Sequence, residues 1–252
     1  GATRAQGGLV TALHRRLLPQ LHGLDFEEEE AYFRNNSVEL QKGRILKVKV
    51  PLSDDTGTRS FWNLHLEDLE EDVDRRARRL LEQDRELSVV KPLSHMCIVL
   101  GDMNSLPVGE SPLNLDSPLE PPSQSSMNYW NQMKKRVWES VLGKFIEIAS
   151  LQTTHYQHKT HSTARIDRIF SGGSGWQMIQ KHVNLTIVSD PYALHLEGIS
   201  DHCPVLATFS ARCSSGNTHT IPKHVFSLPR FRVLHDELVQ TRVFFPCPLL
   251  LV

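Results

Sequence analysis

The sequence has no long apolar run. No stretch approaches the ~20 apolar residues that a membrane-spanning helix needs, and the apolar tail from Val243 to Val252 is broken by Pro246 and Pro248. No signal-peptide pattern is visible at its start, which is Gly1 and not a methionine. There is no basic excess: 28 Lys and Arg face 29 Asp and Glu, a formal net charge of -1. That balance excludes a basic coat for nucleic acid, so attraction to phosphate has to be local. Cysteine is scarce, and Cys97, Cys203, Cys213 and Cys247 show neither metal-site nor disulfide-framework spacing. Cys97 and Cys203 sit in apolar runs and read as buried thiols, which fits a reducing compartment without demanding one. The glycine-serine turn from Gly172 to Gly175 lacks the lysine of a phosphate-binding loop. What is present is globular: 252 residues, 39% hydrophobic and 23% charged, enough for one large domain or two small ones.

Periodicity organises the chain. Leu9, Val10, Leu13, Leu17, Leu18 and Leu21 follow a helical stripe, with Gly23 placed to end it. Glu27 to Glu30 reads as a solvated acidic turn. Arg44 to Val50 alternates like a half-buried edge strand, Pro51 to Arg59 reads as a hairpin loop, and Ser60 to Leu66 as the antiparallel partner that delivers His65. Glu67 to Leu87 is expected to be a helix, with Leu69, Val73, Ala77, Leu80 and Leu81 on its buried face, Asp68 as N-cap and Glu71 completing a capping box. Arg75, Arg76, Arg78 and Arg79 read as a solvated face balanced by neighbouring acids. The strand–helix–strand alternation is α/β in character. Leu106 to Met127, rich in Pro, Ser and Gly, is expected as a long loop beside the active face. A helix is expected from Asn128 to Lys144, and strands near 145–150, 182–189 and 203–210. His155, His158, Lys159 and His161 lack the helix-borne spacing of a histidine metal site and read as a polar loop that meets phosphate.

Four short motifs occur in one order. The first is Asn63-Leu64-His65-Leu66. The second, Ile98-Val99-Leu100-Gly101-Asp102-Met103-Asn104, reads as a buried strand stopping on a carboxylate and an amide two apart. The third is Ala164-Arg165-Ile166-Asp167-Arg168-Ile169-Phe170, and the fourth Ile199-Ser200-Asp201-His202-Cys203-Pro204-Val205. The series resembles the endonuclease/exonuclease/phosphatase superfamily, which includes deoxyribonuclease I and abasic-site nucleases. The resemblance runs from Gly43 to Ser210. It implies a four-layer α/β sandwich, two packed mixed sheets flanked by helices, and a phosphodiesterase dependent on Mg²⁺, with Mn²⁺ as a substitute. It further implies that Asp102 activates or orients the attacking water and that Asn104 holds the phosphate or that water. His202 would act on the phosphate as acid or donor, oriented by Asp167. Asp201 would bind metal or tune the local charge, and His65 would be a second phosphate contact. Thr154, His155 and Arg165 are candidate substrate contacts, with a structural ion pair as the other reading of Arg165 and Arg168.

The chain departs from that pattern at its start. The family's opening strand with an asparagine, and the second strand ending in Gln-Glu whose glutamate binds magnesium, are not found; Val38-Glu39-Leu40-Gln41 is the nearest approach. The expected organisation is therefore a divergent or partial region over 1–42, an N-terminally incomplete catalytic-type domain over 43–210, and a linker and tail over 211–252. Thr154-His155-Tyr156, the polar loop into Ser162 to Arg168, and Ile221-Pro222 before Pro229-Arg230-Phe231 look like the endonucleases of non-long-terminal-repeat retrotransposons. That likeness implies a DNA substrate nicked on one strand and a nuclear location, while the lack of a long apolar run leads us to expect no membrane partner. Three functions stay open: a metal-dependent DNA endonuclease, a catalytically impaired relic or binding module, and a phosphatase on small phosphoesters or inositol lipids. The fold does not choose among them, and oligomeric state is not readable.

Overall fold

The computed structural model describes residues 10–11, 21, 23–51, 57–66, 71–91, 94–107, 109–116, 118, 136–148, 152–172 and 183–209. Most of the expected 6–21 helix, half of the 106–127 loop, the first half of the 128–144 helix, the 172–175 turn beyond Gly172, and 211–252 lie outside them. So do Asp68 and the start of its helix.

Within these residues the order is α1 (Phe26–Asn36), β1 (Ser37–Gln41), β2 (Ile45–Pro51), β3 (Thr58–His65), α2 (Glu71–Val90), β4 (His95–Asp102), β5 (Leu113–Asn114), α3 (Arg136–Leu142), β6 (Ile146–Ile148), β7 (His155–Gln157), β8 (Ser162–Ala164), β9 (Asp167–Ser171), β10 (Val183–Ile187), α4 (Pro191–Leu196) and β11 (Val205–Phe209). A 3-10 turn, His158–Thr160, joins β7 to β8. Six strands form one mixed sheet in the order β1-β2-β3-β4-β9-β6, with β3 and β4 parallel and the other neighbours antiparallel. Strands β10 and β11 pair in a second sheet, and β5-β8-β7 form a small third one.

Alternation explains the layers. On one face of the large sheet, Trp62, Leu64, Cys97, Val99 and Phe170 pack against Ala77 and Leu81 of α2 and Trp138, Val141 and Leu142 of α3. On the other, Val48, Val50, Phe61, Ile98, Leu100 and Ile169 meet Ile187, Val205 and Ala207 of the second sheet, with Tyr32 and Phe33 of α1 against them. A strand covered on both faces needs apolar residues at every position, which is why β4 reads as the continuous run Cys97-Ile98-Val99-Leu100. This is the α/β sandwich expected from the motifs.

Two local expectations are corrected. Glu27 to Glu30 belong to α1: Asp25 caps that helix, accepting from the Glu28 backbone N–H while the Glu28 side chain accepts from Asp25 N–H. Carboxylates in a first turn are stabilised by the unpaired N–H groups there. Strand β2 is no edge, because β1 lies outside it. Its Lys47 is buried, 2.6 Å from Asp84 of α2, and Asp84 also accepts from Trp62 Nε1–H at 2.8 Å.

Candidate active site

The site assembles where three neighbouring strands end together. Parallel β3 and β4 finish side by side with His65 opposite Asp102. Antiparallel β9 starts at the same level, with Asp167 also opposite Asp102. The two-residue period puts these three side chains on the same face as Phe61, Leu100 and Ile169, the face the second sheet covers. Gly101 permits this approach. Its φ is 135°, and a Cβ there would lie 1.9 Å from the Leu64 carbonyl oxygen. Its role is thus the close packing of β4 against β3.

Past the strand the chain folds back on Asp102. One carboxylate oxygen accepts from the Asn104 backbone N–H at 2.8 Å, the other from Asn104 Nδ2–H at 3.1 Å. Asn104 takes a φ of 45°, a left-handed conformation that asparagine tolerates. His65 Nε2 stands 3.7 Å from Asp102 Oδ2. The two residues of the Gly-Asp-x-Asn motif thus form one locked unit beside an imidazole.

His202 arrives from the segment between α4 and β11. Its Nδ1 lies 3.0 Å from Oδ2 of buried Asp167. Burial opposes a charge on this ring. The carboxylate of Asp167, helped by Asp102 and Asp201, outweighs it and raises the pKa to about 9. At neutral pH the ring is therefore protonated, with Nδ1–H donating to Asp167 and Nε2–H as a second donor.

The small sheet holds this segment in place. Tyr156 N–H donates to Asp201 C=O and Cys203 N–H to Thr154 C=O, so residues 201–203 add to β7 like a further strand. The rings of His155 and His202 meet with centroids 4.4 Å apart. His155 Nε2 is 3.6 Å from Asp201 Oδ2. That contact is the first cause holding Asp201 down at about 2, while burial lowers the pKa of His155.

The sequence candidates therefore divide. His65, Asp102, Asn104, Asp167, His155, Asp201 and His202 converge. Thr154 lies beneath them, buried, its Oγ1 accepting from the backbone N–H groups of Ile166 and Asp167. Arg165 points elsewhere: its guanidinium donates to Glu110 and Glu147, and Arg168 donates to Glu147 and Glu139. Glu139 also accepts from Ser105 Oγ at 3.4 Å, tying α3 to the loop after Asn104. Sequence reading did not find Glu110, Glu139 or Glu147, since nothing in their spacing marks them as partners of the Arg-Ile-Asp-Arg motif.

A cation can be judged against these donors. Among the described residues, His155, Asp201 and His202 offer ligand atoms that all lie within 4.8 Å of one another. Two imidazoles and one carboxylate do not fit Mg²⁺, which takes oxygen ligands in a near-octahedral shell. Both Asp102 oxygens already accept from Asn104. Glu39, the closest approach to the missing glutamate, accepts from Gly43 N–H in the β1–β2 turn.

Among the described residues no helix is long and apolar enough to cross a membrane. Solved structures with a similar fold include an AP endonuclease from Leishmania major at 15% identity and TM-score 0.43, matched over 65% of this chain and 54% of that one. Another is an AP endonuclease from Archaeoglobus fulgidus at 14% identity and TM-score 0.37, over 67% and 66%. A third is the inositol polyphosphate 5-phosphatase domain of SPsynaptojanin at 15% identity and TM-score 0.33, over 79% and 56%. The chain thus spans less than two-thirds of the length of each. No curated protein matches it. The family model of the Endonuclease/Exonuclease/phosphatase family matches residues 32–202, and on that match this chain belongs to the endonuclease/exonuclease/phosphatase family, whose members generally depend on a divalent metal.

Proposed function

We propose that the chain is a phosphodiesterase acting on DNA as an endonuclease. The observation that carries this reading is the His202–Asp167 pair facing the Asp102–Asn104 unit across adjacent strand ends. Phosphodiester cleavage needs a donor for the charged oxygens, an oriented water and a route for the leaving-group proton. Imidazolium His202, fixed by Asp167, meets the phosphate through Nε2–H and gives that proton to the leaving oxygen as the P–O bond breaks. Asp102 and Asn104 orient the water, Asp102 as acceptor of its proton, and His65 adds a second phosphate contact. Thr154 sets the backbone of Ile166 and Asp167 and thereby aims the Asp167 carboxylate. Arg165 and Arg168 brace the strand that carries it. No step is assigned to magnesium, whose ligand set these residues do not assemble. Single-strand nicking of the retrotransposon type is the finer form of this reading, supported by the Thr154-His155-Tyr156 hairpin and its polar turn.

The test is supercoiled plasmid, bis-p-nitrophenyl phosphate and p-nitrophenyl phosphate offered in turn to the purified chain, with Mg²⁺, Mn²⁺ or Zn²⁺ supplied separately. Nicking with weak monoester turnover is the expected result. Monoester turnover without nicking would replace DNA with a small phosphoester as substrate. A second reading, a binding module that has lost its chemistry, is favoured by the engagement of Glu39 in a turn. Plasmid binding with no turnover of any of the three substrates would establish it.

A further inference from the structure

We propose that Glu110, acting through Arg165, is a positioning residue that holds the Asp102–Asn104 turn in register with Asp167. Its consequence for rate rests on the hydrolytic reading of the site; the hold itself rests on geometry alone.

The turn needs holding. Asn104 lies in the left-handed region at a φ of 45°, where a residue with a side chain stays only if its surroundings fix it. A carboxylate and an amide that orient a water also tolerate little drift. What fixes them is one short segment, Ala164 to Arg168, which carries Asp167 as well. Met103 N–H donates to Ile166 C=O at 2.9 Å. Leu106 is buried against Ala164 and Ile166. Ser105 Oγ–H donates to Glu139, the carboxylate that Arg168 also holds.

Glu110 is the fourth anchor. Pro107 C=O accepts from Glu110 N–H at 3.1 Å, with Gly109 at a φ of 84°. The chain doubles back at this turn and brings the Glu110 carboxylate to Arg165. Arg165 Nε–H donates to Glu110 Oε2 at 3.2 Å, and its Nη2–H donates to Oε1. A two-pronged contact between guanidinium and carboxylate fixes angle as well as distance.

Stability does not account for this contact. The Glu110 side chain is 43% exposed, and an ion pair with so exposed a partner adds little. Arg165 is buried, but Glu147 accepts from its Nη1–H, so removing Glu110 strands no buried charge. Met103, Ser105 and Leu106 are all buried, whereas Glu110 can be changed without opening the core. Its effect is on where the turn sits.

The test compares Glu110→Ala and Glu110→Gln with the parent chain, by amide hydrogen exchange and by turnover of bis-p-nitrophenyl phosphate in the most effective divalent cation. This small diester reports on the reacting centre and not on contacts to a long substrate. Asn104 N–H, which donates to Asp102, should exchange at least about 10-fold faster in Glu110→Ala, while Val99 in the middle of β4 keeps the parent's rate. The urea midpoint should stay close to the parent's. In the same variant kcat should fall about 10–100-fold with KM within about twofold. Glu110→Gln keeps one acceptor for Arg165 and should fall between the two chains in both readouts. Unchanged exchange at Asn104 would overturn the proposal whatever the rates. So would faster exchange with kcat unchanged, or equal acceleration at Val99, which would mean a general loss of stability. Faster exchange at Asn104 alone in a chain whose parent shows no turnover would remove the hydrolytic reading and leave the hold.

Discussion

Gly101 shows how one residue conditions the site. Its φ of 135° and the 1.9 Å approach of the Leu64 carbonyl leave no place for a Cβ. Gly101→Ala should therefore cost at least ~2 kcal/mol, from backbone strain plus displacement of β3. Urea unfolding of the variant checks this; a midpoint shift within error would mean the β3–β4 spacing is wrong. Asp167 governs His202 in a comparable way. Asp167→Asn removes the charge that raises the imidazole to about 9, so the ring should titrate lower, toward its ordinary range. NMR titration of the chelator-treated chain reads that shift directly. An unmoved value would assign the effect to Asp102 or Asp201 instead.

At the scale of elements, two buried ionic groups join helices to strands. Lys47 of β2 and Asp84 of α2 pair at 2.6 Å, with Trp62 sharing the carboxylate. Such a pair adds little net stability, but breaking it strands a buried charge. Asp84→Ala should cost about 3–5 kcal/mol, and Lys47→Met with Asp84→Leu clearly less; denaturant midpoints of the two chains decide it, and equal losses would contradict the argument. The second group is Glu147 with Arg165 and Arg168. Burial alone would raise the pKa of Glu147, but Arg168 and then Arg165 more than reverse it, leaving it lowered. A lowered carboxylate stabilises the folded chain above its unfolded pKa of ~4.3 and loses that contribution as pH falls through the folded value. Stability measured from pH 6 downward should fall, and Glu147→Gln should flatten part of that slope. A parallel slope in the variant would show that other carboxylates set it.

These elements also show which features the sequence could reveal. β4 and β9 were readable because double burial and a terminal carboxylate leave a local signature, as in Leu100-Gly101-Asp102. The pairing of Lys47 is not legible in sequence, since a lysine in an alternating strand says nothing of Asp84, 37 positions away and on a helix. Glu27 to Glu30 read as a turn in sequence because four adjacent like charges hide a helix that opens on the exposed Phe26 and meets the core through Tyr32 and Phe33.

For the molecule as a whole, the order of four motifs was enough to give the fold, because each falls at a strand end that the sandwich brings to one rim. It was not enough to give the neighbours of His155. His155 was read with His158 and His161 as a loop cluster, while its structural neighbours are Asp201 and His202, which a β-bridge places beside it. Contacts made by strand addition leave no trace in local spacing. The near-zero net charge of -1 means that substrate affinity depends on the rim and not on a general field.

The central claim is that the His202–Asp167 pair and the Asp102–Asn104 unit work together on a phosphodiester. Its most direct test is initial rates of plasmid nicking, in the most effective divalent cation, for the parent chain, His202→Ala, Asp167→Asn and Asp102→Ala, with circular dichroism confirming that each is folded. The account predicts that all three folded variants lose about 100-fold or more, in line with general acid–base roles. Nicking at the parent rate in folded His202→Ala would contradict it.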